Sequence, residues 1–318
     1  MQLIFLNNRV KPGETHAICA LVLIALLFIS TSLLANGASG ILDDAIDPRL
    51  QQGLEKLVLE QGLAAAVEEK KLSLALFIVT DPARPRLAEL NGHQMVYAAS
   101  LPKIAILLGA AVAIHEGRLE LDEELHKDLN DMIRHSCNAC ASRVLALVGQ
   151  EELIEILQSP EYQFYDQQGT GGLWVGKAYG PEPAYKRDPL AGLSHGATAF
   201  QAARFYYKLE TGTLVSPELS NMMLDTLSRP AISHKFVKGL KAWERLEMYR
   251  KSGTWKTFHA DSALVRYGGH AYIMVALAHS PEGSDWLEQL AAPLQTLAIA
   301  ESWRAVKAAH NITPPVSP

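Results

Sequence analysis

Apolar residues recur at helical spacing from Arg49 to Gly62, with Leu50, Leu54, Leu57 and Val58 on one side, and the spacing predicts an amphipathic helix stopped by Gly62. The period then changes. Leu72 to Thr80 is a β-branched and apolar run halted by Asp81-Pro82, which reads as a buried strand, and Arg86–Leu90 with Met95–Ala98 around Asn91-Gly92 reads as a hairpin. Leu101 to His115 is apolar on nearly every side, as in a helix buried mid-domain, and Gly117 ends it. Asp122–Arg134 and Ala139–Leu147 are further helices joined by His135-Ser136-Cys137-Asn138, with Gly149 as the stop. From Ser159 to His195 the periodicity breaks down into glycine- and proline-rich pieces, more characteristic of a functional loop than of a linker because no separate core follows. Helices resume at Thr198–Leu209 and Ser216–Leu227, and strands at Met248–Trp255, Asp261–Tyr267 and Ala271–His279; Glu282–Ala309 is a long amphipathic helix carrying Leu287, Leu290, Leu294, Leu297 and Trp303.

Sheet, helices, then sheet again implies an α/β chain in α+β layers. One sheet is built from N- and C-terminal segments and flanked by terminal helices, with an all-helical insert at about 101–240. The expected organisation is a leader over 1–39, one domain over 40–309 and a loose Pro-rich tail over 310–318. The 318 residues are 48% hydrophobic, enough for a sizeable core, and a net charge of -5 without a long basic run argues against nucleic acid as a partner. Ala17 to Ala35 carries no charge, follows Arg9 and Lys11, and precedes the small residues Ala35-Asn36-Gly37-Ala38-Ser39-Gly40. That reads as a secretory signal peptide cleaved near Gly37 or Ser39, with an inner-membrane anchor as the alternative; in both cases the body is exported, into the periplasm or beyond. Cys19 lies at the start of the apolar run behind Ile18, the wrong context for lipid attachment. Cys137 and Cys140 form a C-x-x-C without a second such unit, so zinc is not implied; a local disulfide and two free thiols both stay open, helix-start geometry being unfavourable to the former.

Chemistry enters at Ser100-Leu101-Pro102-Lys103. A serine ahead of a helix with proline in the first turn is a good N-cap; equally, a lysine one turn along the same face could take the serine's proton. Ser-x-x-Lys arises about once by chance in a chain of this size. Two more short signals follow in order, Ser136-Cys137-Asn138 in an inter-helical turn and Lys251-Ser252-Gly253-Thr254 on a strand. With these three the chain resembles the serine β-lactamase and penicillin-binding superfamily, closest to class A, from about Asp44 to Ala309.

The resemblance implies a fold of the β-lactamase kind and a set of roles. Ser100 would be the nucleophile, activated by a neutral Lys103, with Lys251 supplying a second positive charge that keeps Lys103 neutral. Ser136 would relay a proton to the leaving nitrogen, Asn138 would hold the substrate amide, and Lys251, Ser252, Gly253 and Thr254 would form the substrate-binding strand, with Lys251 and Thr254 receiving a carboxylate. Backbone NH groups of Ser100 and Thr254 would form the oxyanion hole. No cofactor or metal is needed; the partner is a β-lactam or peptidoglycan-stem-like small molecule, and the protein is expected to be a monomer.

The sequence also departs from the class A pattern. Cys137 stands where class A has Asp, and the link from Ser100 to Ser136 is short. The glutamate that activates the deacylating water would be Glu182, before Pro183, but Lys186 stands where an asparagine is expected, and an exposed loop acid is an equal reading. Asp188 is expected to make an ion pair across the loop neck, Trp174, Tyr179, Tyr185 and Trp255 could line a groove, and His195 and His259 lack metal-ligand spacing. Three functions follow: a secreted serine hydrolase that cleaves the β-lactam amide, a D-alanyl-D-alanine peptidase or related peptidoglycan or ester hydrolase with the same acylation step, or a cell-wall-binding or penicillin-binding sensor protein that acylates slowly or not at all.

Overall fold

The computed structural model describes residue 42 and residues 46–309, with side chains to residue 304; the leader, the Cys19 site and the tail after 309 lie outside the described residues. α1 (Pro48–Glu60) begins at Asp47, whose carboxylate accepts from the Arg49 and Leu50 amides, with proline in the first turn. At 13 residues it is too short to persist alone, so its stability must come from the buried face of Leu50, Leu54, Leu57 and Val58. Each such leucine contributes about 2 kcal/mol by leaving water. α2 (Ala64–Glu68) leads into β1 (Leu72–Ile78), buried at every position, and β2 (Arg86–Leu90).

β2 does not turn back on itself as a hairpin with the next strand. Its partner is β1, and β3 (Val96–Tyr97) pairs instead with His195–Ala197, Val96 opposite Ala197 and Tyr97 opposite Gly196. Asn91 accounts for the divergence. It sits at φ 52° and its side-chain amide donates to Val67 O (2.7 Å) and Leu72 O (3.0 Å), which ties the turn to the α2–β1 connection and sends the chain away from the sheet.

The helical part contains α3 (Lys103–His115), α4 (Glu123–Arg134), α5 (Asn138–Val148) and α6 (Gln150–Gln158). α3 is buried continuously from Lys103 to Ala113, as its all-round apolar sequence predicts. The glycine-rich interval contains short pieces of sheet: β4 (Tyr165–Asp166) pairs with β5 (Gly171–Gly172), and β6 (Trp174–Val175) with β7 (His195–Ala197). α7 (Ala199–Glu210), capped by Thr198, α8 (Pro217–Leu227) and α9 (Phe236–Gly239) lead to β8 (Glu247–Trp255), β9 (Phe258–Tyr267), β10 (His270–His279) and α10 (Gly283–Ala309).

The main sheet has five strands in the order β2-β1-β10-β9-β8, with antiparallel neighbours. N-terminal β1 therefore pairs with C-terminal β10, Ala75 opposite Val275, as a sheet drawn from both ends requires. One face carries Leu74, Leu76, Met274 and Ala276 against Leu54 of α1 and Leu290 and Leu294 of α10. On the opposite side of β1, Phe77 meets Phe200 of α7 edge-on at 5.7 Å. With both faces covered, β1 has no polar alternation, which is why it reads as one apolar run. No described helix is long and apolar enough to cross a membrane.

Candidate active site

Three segments meet beside the start of α3. Ala98 donates its amide to His195 O (2.9 Å), and Ala99 lies at φ 52°, a conformation that costs a non-glycine residue about 1 kcal/mol and is held here by the β3–β7 pairing. Tight turns follow, Leu101 N to Ala98 O (3.0 Å) and Ile104 N to Leu101 O (3.1 Å), so the N-cap of α3 is Pro102 and no side chain caps the helix. The capping reading of Ser100 is therefore excluded. Among the described residues its hydroxyl has no hydrogen-bond partner, and it is left half-buried at the cleft.

Lys103 and Lys251 share the next residue group. Lys103 Nζ donates to Ser136 O (2.7 Å), Asn138 Oδ1 (2.7 Å) and Ser136 Oγ (3.3 Å), and Lys251 Nζ to Ser136 Oγ (3.0 Å) and Ser252 O (2.7 Å). Burial with no carboxylate among these partners pushes the Lys103 amine down to about 7. Lys251 is held well below the usual lysine range, first by burial and then by the Lys103 amine and the Arg250 guanidinium. A base that is half neutral near pH 7 and a hydroxyl between two amines can together take and pass on a proton.

Ser136 reaches this position through a left-handed backbone, φ 57°. The next residue, Cys137, is the N-cap of α5 and is bonded to Cys140 across a Cα separation of 5.3 Å. The helix-start objection fails because Cys137 stands outside the helix, with ψ 119°, at a separation that suits a disulfide.

The third segment is fixed by Gly253. A Cβ there would lie 2.1 Å from Ala98 O and 2.8 Å from Ser100 N, so only glycine lets β8 seat against the turn that carries Ser100. Lys235, which belongs to no motif, donates to Gly253 O (2.6 Å), Thr254 Oγ1 (2.8 Å) and Ala260 O (3.1 Å), and burial lowers its amine to about 8. Behind the strand, buried Arg250 and Asp261 form a bidentate ion pair, with Arg250 Nε donating to Oδ1 and Nη2 to Oδ2, both at 2.7 Å, and Asp261 also accepts from Phe236 N (3.1 Å). Removing either partner would leave a buried charge at a cost of about 3–5 kcal/mol.

Over the lysine pair lies the loop after β6. The Tyr179 ring centre is 4.5 Å from Lys103 Nζ, its hydroxyl donates to Ala99 O (3.2 Å), and its amide donates to Ser142 Oγ (3.0 Å). His195 packs on this ring at 4.3 Å, and its Nε2 donates to Lys177 O (3.0 Å); burial pushes its pKa down to about 4, so it is neutral. A cavity of about 630 Å³ opens beside them, lined in part by Tyr97, Asn138, Tyr179, Glu182, Trp255 and Phe258.

The other loop expectations fare unevenly. Glu182 stands exposed on the cavity rim and bonds to neither lysine nor Ser136, so the structure does not join it to the cluster. Tyr179 takes the place beside Lys103 instead. Asp188 holds the loop neck, but by accepting from Tyr165 Oη (2.9 Å), Ala191 N (2.8 Å) and Leu193 N (2.5 Å); among the described residues it has no ion-pair partner, because neighbouring amides and a phenol already fill its oxygens. Trp174 and Tyr185 do not line the groove: Trp174 is fully buried, donating to Lys186 O, and Tyr185 donates to Val175 O (2.5 Å). His259 lies opposite Thr254 across the strands, its Nδ1 without a partner among the described residues. No metal-binding cluster occurs among those residues.

Comparison with known proteins bears on the family and the fold. A family model described as the Beta-lactamase enzyme family matches residues 124–300, a span that holds the second and third segments but not Ser100 and Lys103. The fold is similar to PBP-A (TM-score 0.60, 19% identity, 80% of this chain and 97% of that one) and to a β-lactamase from Sphaerobacter thermophilus (0.59, 16%, 82% and 99%). It is also similar to a PBP-A mutant solved as an acyl-enzyme complex with penicillin G (0.58, 20%, 80% and 98%). No curated protein matches the chain.

Proposed function

The chain belongs to the β-lactamase enzyme family, and from that premise we propose that it is an exported serine hydrolase that opens amides, β-lactams among them, through an acyl-serine intermediate. The observation that carries this reading is Ser136 Oγ held between Lys251 Nζ at 3.0 Å and Lys103 Nζ at 3.3 Å, with Lys103 half neutral near pH 7.

Neutral Lys103 takes the proton of Ser100, whose oxygen attacks the amide carbonyl. The Ser100 and Thr254 backbone NH groups receive the developing oxyanion, a donor there being worth about 3 kcal/mol of barrier. Ser136 passes a proton from the lysine pair to the departing nitrogen, the C–N bond breaks, and an ester on Ser100 remains. Asn138 holds the substrate amide, and a carboxylate on the substrate goes to Lys251 and Thr254, with Lys235 behind them.

Release of the acyl group needs an activated water. Glu182 is the sequence's candidate, but an exposed rim position and the Tyr179 ring over Lys103 favour slow release. The reading best supported is therefore fast acylation with a persistent adduct, the behaviour of a penicillin-binding protein with a D-alanyl-D-alanine or ester substrate, in place of rapid lactam turnover. A chromogenic cephalosporin separates the two. A burst of about one equivalent per enzyme followed by a slow phase, absent in Ser100→Ala, is expected; sustained fast turnover would show that a deacylation base is in place, and no burst at all would remove the acyl-serine reading.

A further inference from the structure

All three groups that accept from Lys103 Nζ come from a three-residue stretch whose middle member is covalently tied. We propose that the Cys137–Cys140 disulfide is the positioning element of the acylation site, holding Ser136 and Asn138 on Lys103, so that acylation of Ser100 depends on the oxidation state of this pair; the kinetic half of this rests on the acyl-serine reading above.

The stretch is poorly held by anything else. Ser136 occupies a left-handed conformation, which a non-glycine residue keeps only when its surroundings over-determine it. The N-cap of α5 is ordinarily a Ser, Thr, Asp or Asn oxygen; here it is Cys137 Sγ, a weak acceptor, at 3.1 Å from Cys140 N. Cys140 is buried with Ala141 and Val144 on the packed side of α5, whereas Ser136 and Cys137 are half-exposed and Asn138 is exposed. The backbone adds two bonds, Cys137 N to Asp131 O (3.1 Å) and Ala141 N to Cys137 O (3.2 Å). The Sγ–Sγ bond adds the covalent tie between the cleft-facing residues and the buried side of α5, beside the one helix bond from Ala141 N. Freed of it, Cys137 regains rotation, and Ser136 O and Asn138 Oδ1, both 2.7 Å from one nitrogen, no longer converge by default.

The bond is reachable. A dithiol thiolate attacks half-exposed Cys137 Sγ, the disulfide breaks, and Cys140 Sγ leaves with the electron pair beside Arg143 Nη2, 3.5 Å away. The second thiol of the reductant then displaces Cys137 and closes its own disulfide, so two electrons and two protons pass to the protein. An aspartate at 137 offers the capping oxygen without the staple.

The test follows wild type, Cys137→Ser/Cys140→Ser and Cys137→Asp/Cys140→Ala, each with and without dithiothreitol, by acylation rate with a penicillin, intact mass, and amide hydrogen exchange at 136–140. Reduced wild type is expected to acylate about tenfold more slowly, through the bond-forming rate more than through affinity, with faster exchange at Ser136 and Asn138. Both double variants, which offer a capping oxygen but no bond between the two positions, should acylate more slowly than oxidised wild type and should not respond to the reductant. Unchanged exchange and rate in protein whose mass shows the gain of two hydrogens would overturn the proposal. If oxidised protein forms no adduct, the acyl-serine reading fails on its own, and exchange alone decides the positioning claim: faster on reduction sustains it, unchanged refutes it.

Discussion

The two halves of the cleft are built differently. The half that would form the acyl-serine stands mostly on regular elements: α3 carries Lys103, the start of α5 carries Asn138, and β8 carries Lys251 and Gly253, with Ser100 and Ser136 on the turns just ahead of the two helices. The half that would release it stands on the loop between β6 and β7, held by Asp188 at its neck and by the Tyr179 contacts to Ala99 O and Ser142 Oγ. A helix or strand fixes a side chain's direction by the backbone ladder, while a loop fixes it by a few side-chain bonds. The three motifs of the sequence accordingly converge in the first half, whereas the second half has no motif of its own.

The contrast can be attacked where the first half is tightest. Gly253→Ala puts a methyl 2.1 Å from Ala98 O, so β8 must move from the Ser100 turn; acylation should fall by about 100-fold and the melting temperature should drop, in line with overpacking of about 1–3 kcal/mol. A variant that acylates normally would mean that the strand and the turn do not depend on each other.

The next effect is on pH. Lys103 is lowered from 10.5 to about 7, so the folded chain binds this proton less readily than the unfolded chain. Below about 7 both forms are protonated and the burial penalty is fully present; between there and 10.5 the unfolded state holds the extra proton, and stability from this group rises with pH. Acylation should fall about tenfold per unit as pH drops below that value, while a Lys103→Met variant, inactive, should lose the corresponding rise in melting temperature. A rate flat from neutral pH downward would place the base elsewhere.

The smallest effect is expected in the loop. Glu182→Gln should leave the acyl-enzyme lifetime within about twofold, since the carboxylate is exposed and bonds to none of the lysine cluster. A lifetime many times longer would restore Glu182 as the water-activating group.

The same division separates what the sequence disclosed from what it hid. β1, β10 and α3 were legible because burial on both faces or all round leaves an unbroken apolar record, and α1 because its Leu50-Leu54-Leu57 stripe faces one core. The three motifs were legible through order alone. The hairpin expectation failed because Asn91-Gly92 reports a turn and not the partner of the next strand, which lies about a hundred residues on, at His195–Ala197. Lys235 was silent, a single lysine at φ 53° in an irregular segment, recognisable only by its bonds to Gly253 O and Thr254 Oγ1. Tyr179 looked like any groove aromatic, and its stacking on Lys103 depends on how the loop closes. For the cysteines, spacing allowed both states until Cys137 was placed outside the helix.

The most direct test of the account is to digest the protein after brief exposure to penicillin and locate the added mass by fragmentation. One acyl group per chain is expected, on the hydroxyl of Ser100, appearing more slowly below pH 7 as Lys103 becomes charged. An adduct on any other residue, or none in folded and oxidised protein, would contradict it.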